Sequence, residues 1–70
     1  MKLTDEQKDL VRLILRSKDD GEGWRRVSKM LWPHVKGKLP ADLVEEREAE
    51  IGAFTGVRLT ARGQAVADYL

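Results

Sequence analysis

The chain contains no cysteine, which excludes a disulfide framework and every thiolate-ligated metal. Its single histidine, His34, has no second imidazole or thiol with which to build a metal cluster, and Ser17 and Ser28 have no obvious base to activate them. No apolar run approaches the ~20 residues that span a bilayer, and the stretch MKLTDEQKDL is too charged for a secretory leader. The expectation is therefore a cytoplasmic protein with no membrane partner, no metal, no cofactor and no catalytic residues, and so not an enzyme. An excess of one charge is also missing, since 13 lysines and arginines face 12 aspartates and glutamates for a net charge of +1. What is present is a chain of 70 residues, 41% apolar and 36% charged, the balance of one small globular domain over 1–70 rather than of a disordered tail.

The charges fall in blocks. Residues 1–20 hold equal numbers of bases and acids. Residues 21–38 carry Arg25, Arg26, Lys29, Lys36 and Lys38 against Glu22 alone, and residues 39–50 carry Asp42, Glu45, Glu46, Glu48 and Glu50 against Arg47 alone. Bases of this kind neutralise phosphates, or form the solvated side of a helix balanced by the acids beside them. The acidic run lacks the alternating oxygen ligands and glycine turn of a calcium loop and reads as solvated surface.

Thr4-Asp5-Glu6-Gln7 has the form of a capping box, and Leu10, Val11, Ile14 and Leu15 make i, i+4 pairs widened by Leu13. This predicts a helix over about 5–17, stopped by the polar run Lys18–Gly23. Trp24, Val27, Leu31 and Val35 recur at spacings of three and four, predicting a second amphipathic helix with Trp24 in the core and Arg25 and Lys29 together on another face. Pro33 interrupts it, so that either the helix ends near Trp32 and a new turn begins, or it kinks. Trp32 lies off the apolar stripe and is either core or a partner contact. Residues 40–50 read as helix by propensity, but Val57 and Leu59 alternate about Arg58 as a short strand that needs a partner upstream. The preferred reading is a turn at Pro40–Asp42 and a strand at Leu43–Glu48, antiparallel to about 55–59, with an exposed connection through Ala49–Phe54. Thr60 then caps a last helix with Ala65, Val66, Tyr69 and Leu70 on its buried side. Truncation of Leu10, Ile14 or Leu59 is expected to unfold a domain of this size.

The stretch Val57-Arg58-Leu59-Thr60-Ala61-Arg62-Gly63 resembles the final strand and helix start of winged helix-turn-helix domains, where R-L-T-x-x-G is frequent. Leu43-Val44-Glu45-Glu46-Arg47 likewise resembles the strand leaving their recognition helix, so the resemblance is best over 40–70. It implies an α+β fold, a small winged helix-turn-helix with three helices, a two-stranded antiparallel hairpin and a C-terminal helix. It also implies a bacterial or phage-type transcriptional regulator that acts as a dimer. Such a protein would bind double-stranded DNA through the helix at about Ser28–Lys38, with further contacts from the wing. The phosphate contacts would be Arg25, Arg26, Lys29, Lys36 and Lys38, with Arg58 and Arg62 as supports. Pro33 and Gly37 in the recognition region, and Glu48 and Glu50 in the wing, depart from that pattern. The alternative is a protein-interaction module of the same fold, with Trp32, Ile51 and Phe54 facing a protein partner or a second copy.

Overall fold

A first-turn amide has no partner inside its helix, and Thr4 and Gln7 supply two. In the computed structural model, which describes residues 2–48 and 52–70, Thr4 Oγ1 accepts from the Gln7 amide and Gln7 Oε1 accepts from the Thr4 amide, closing the capping box. The helix that follows, α1, runs Asp5–Arg16 and buries Val11 and Ile14, with Leu10, Leu13 and Leu15 packed at the margin. Beyond it the Asp19 carboxylate accepts from the Gly21 and Gly23 amides, and that of Asp20 from Glu22 and Trp24. Both glycines hold positive φ, +93° and +86°, which a side chain would strain.

This loop delivers the chain into a strand, not a helix. Arg25–Ser28 forms β1, antiparallel to β3 (Phe54–Leu59), and on its other side the Arg26 amide donates to the Lys18 carbonyl at 2.8 Å. The helix predicted from Trp24 is thus corrected. The spacing of three and four ran across a strand, a turn and a separate helix, and Arg25 and Lys29 share no helical face. That separate helix, α2, is Trp32–Lys38 and carries Pro33 in its first turn, where a missing amide donor costs nothing. The proline therefore starts a helix. Trp32 and Val35 point inward and are buried with Leu39 and Leu43.

A 3-10 turn at Ala41–Leu43 leads into β2, Val44–Glu48, which pairs antiparallel with β3 in the register Val44↔Leu59 to Glu48↔Thr55. This is the hairpin expected from the alternation of Val57 and Leu59. Phe54 belongs to β3 and is half-buried, whereas Ala49 and Ile51 lie outside the described residues. Among the described residues the sheet nevertheless has three strands, in the order β1-β3-β2, instead of two. The α-helices number three among the described residues, the C-terminal one included, which corrects the expected count as well.

The last helix, α3 (Ala61–Ala67), begins at Thr60, whose side chain accepts from the Gly63 amide and donates to the Asp42 carbonyl. Gly63 and Ala67 are its buried positions. The expected inward stripe is corrected here: Val66 is only partly buried, while Ala65 and Leu70 are exposed and Tyr69 is 92% exposed. Two turns of helix seated through a glycine end before Tyr69 can reach the core. Ile14 is completely buried, but Leu10 and Leu59 lie at the core's edge. The result is a small α+β domain in which Val27 and Val57 turn one sheet face toward the core. Among the described residues no helix is long and apolar enough to cross a membrane.

Candidate nucleic-acid interface

Side chains alternate across a sheet, so the burial of Val27 and Val57 assigns every neighbour to a face. Arg26 and Ser28 on β1, Phe54, Gly56 and Arg58 on β3, and Glu45 and Arg47 on β2 fall on the face away from the core. The Asp19↔Arg25 bridge extends this face by one more segment, placing Lys18 opposite Arg26 and Asp20 opposite Trp24. One row across the sheet is therefore Lys18, Arg26, Gly56, Arg47. The next is Asp20, Trp24, Arg58, Glu45.

The two rows are stitched together by Arg47. A β-carbon on Gly56 would stand 3.1 Å from Arg47 Cγ, so the arginine stem lies directly over the glycine. Its guanidinium reaches the Trp24 ring, 4.7 Å from the centroid, and contacts Asp20 at 3.0 Å and Glu22 at 3.7 Å. The Arg58 guanidinium lies 4.3 Å from the same ring centroid and pairs with Glu45 at 2.7 Å. Trp24 is accordingly a half-buried ring on the outer sheet face, not the core residue its spacing suggested. The Glu22 amide chiefly, with the Arg47 guanidinium and the Trp24 amide, holds the Asp20 carboxyl below its ordinary range against the opposing effect of burial.

Comparison with protein-family models, curated proteins and solved structures finds no match.

The seven predicted phosphate-contacting cations divide in two. Lys36 pairs with Glu46, Lys38 with Glu6 at 3.4 Å, Arg58 with Glu45, and Arg62 with Asp42 at 2.9 Å. These four are already matched by the chain's own acids, chiefly those of the 42–46 stretch that folds back beside them. Arg25 turns its guanidinium onto the Ser17 carbonyl at 2.9 Å, while Arg26 and Lys29 lie along and just beyond β1. Among the described residues none of Arg16, Lys18, Arg25, Arg26 and Lys29 has a carboxylate within ion-pair distance. Lys18 and Arg47 are the members of the site that sequence reasoning passed over. Each is hidden in a block of balanced or opposite charge, and only strand register brings them into line.

Of the predicted protein-contact residues, Trp32 is 3% exposed and donates its indole N–H to Glu46 at 2.7 Å, so it is no surface residue. Lys36 first, and the Trp32 indole after it, hold the Glu46 carboxyl below its ordinary range. Ile51 lies outside the described residues, and Phe54 is half-buried at the end of the outer sheet face opposite Ser28. His34 is exposed on α2, and among the described residues no group of side chains could hold a metal ion.

Proposed function

We propose that this chain is a small nucleic-acid-binding module that holds phosphates on the outer face of its sheet. The observation that carries the reading is the alignment of Lys18, Arg26 and Arg47 across that face, where among the described residues neither Lys18 nor Arg26 has a carboxylate within ion-pair distance. Each cation that neutralises a phosphate releases a condensed counterion, and that release supplies the sequence-independent part of nucleic-acid affinity. The winged helix-turn-helix resemblance adds support at the junction it covers, because Thr60 and Gly63 build the passage from hairpin to last helix. The recognition role moves, however. The lysines of α2 are tied to Glu46 and Glu6, and the sheet face takes their place as the principal contact surface.

The test is binding of a labelled oligonucleotide by fluorescence anisotropy as salt is raised. Affinity should fall steeply with salt, and Lys18→Gln with Arg26→Gln should reduce the log–log slope by about 1.4–1.8. Absence of binding by the wild-type chain at low salt overturns the proposal.

A second reading rests on one observation. Met30 is 87% exposed and Leu31 41% exposed at the tip between β1 and α2, an apolar pair open to a protein partner or a second copy. Under it Met30→Ser abolishes concentration-dependent association in sedimentation equilibrium, and a chain that stays monomeric at all concentrations removes self-association.

A further inference from the structure

We infer that the preferred ligand of the outer sheet face is single-stranded nucleic acid, with an unpaired base stacked in the Trp24–Arg47–Arg58 cluster; this rests on the phosphate-binding reading above. In a duplex the faces of the bases are covered by their neighbours, so flat aromatic and guanidinium groups on a sheet have nothing to stack on. An unpaired base presents both faces, and every base has a π-surface for a tryptophan or an arginine plane. This chain places such planes beside its cation row. The Trp24 ring is held on the sheet by two guanidiniums, 4.3 and 4.7 Å from its centroid, and Phe54 occupies the same face on the far side of the row. Lys18, Arg26 and Arg47 run between these two rings, so a strand whose phosphates follow the row carries its bases toward an aromatic on either flank. Glu22 and Glu45 hold Arg47 and Arg58 in exposed pairs worth little, which a phosphate can replace, while the part-buried Asp20 keeps the Arg47 guanidinium against the Trp24 ring.

The element that would have to read a duplex is poorly equipped for it. The helix α2 has only seven residues and turns Trp32 and Val35 inward.

The two tryptophans make the test direct, because Trp32 is buried and Trp24 is not. Decathymidylate, its duplex with decadeoxyadenylate, and polyglutamate of equal charge are titrated into the full chain, following tryptophan emission at fixed low salt. Decathymidylate should quench the emission and bind at least about tenfold more tightly than the duplex or polyglutamate. Trp24→Leu should abolish the quench and weaken single-strand binding by about tenfold, and Trp24→Phe, which keeps a ring on the sheet, should lose less. Duplex or polyglutamate binding as tight as the single strand overturns the inference, as does equal affinity of Trp24→Leu and wild type, or equal losses from the two variants. Any of these with salt-sensitive oligonucleotide binding intact leaves the phosphate-binding reading standing. Failure of every polynucleotide to bind removes both.

Discussion

The carbonyl oxygen of Leu43 occupies the place that a β-carbon on Gly63 would need. The same oxygen accepts the Thr60 amide at 3.0 Å, so it cannot turn away without breaking the junction between the 3-10 turn and α3. Gly63→Ala, a change that ordinarily favours a helix, should here destabilise the domain by about 2–3 kcal/mol, read as a lower urea midpoint with an unchanged slope. An unchanged or higher midpoint would contradict the close approach.

Glu46 makes stability depend on acid. Its carboxyl is held below the ordinary value of 4.5 by Lys36 and the Trp32 indole, so it binds its proton less readily folded than unfolded. The stabilisation is complete above about pH 4.5 and is lost as pH falls through the lowered folded value. Asp20 acts in the same direction. Glu46→Gln should therefore flatten part of the decline in urea midpoint below pH 4.5, and a decline of unaltered steepness would count against the pairing.

The contrast between the paired lysines of α2 and the unpaired Lys18 and Arg26 among the described residues separates the sheet face from α2. Lys36→Gln with Lys38→Gln should leave the salt dependence of oligonucleotide binding nearly unchanged, whereas the Lys18/Arg26 double variant lowers it by about 1.4–1.8. Equal effects of the two pairs would return the contact surface to α2.

Gln7 serves two elements at once. Its Oε1 completes the cap of α1, while its Nε2 donates to the Lys38 carbonyl at the end of α2, 3.0 Å away. Gln7→Ala removes both and should cost about 1–2 kcal/mol in urea unfolding, more than an exposed helix position ordinarily bears.

The parts legible in the sequence were those whose signal is local. The capping box at Thr4–Gln7, the pairing of 44–48 with 55–59 and the cap at Thr60 each follow from residues a few positions apart. β1 was not legible because four residues are too few to display alternation, and the apolar positions around them happened to match a helical period. Trp24, expected in the core, stands on the outer face for the same reason, and Trp32, which could have been core or partner contact, is the buried ring. The basic block of 24–38 did not become one basic face because it divides between β1 and α2, with Lys36 drawn to Glu46 and Lys38 to Glu6. Charge counted along the chain cannot anticipate pairs such as Lys38 with Glu6, 32 positions apart.

The position of β3 sets the order in which this domain can assemble. Among the described residues β1 and β2 share β3 as their partner strand, and β3 follows both of them in the chain. During synthesis β1 and β2 wait for their common partner until residues 54–59 clear the ribosomal tunnel. Closure of the sheet therefore waits for Phe54–Leu59, and a ribosome that stalls before Phe54 leaves α1 with no platform to rest on.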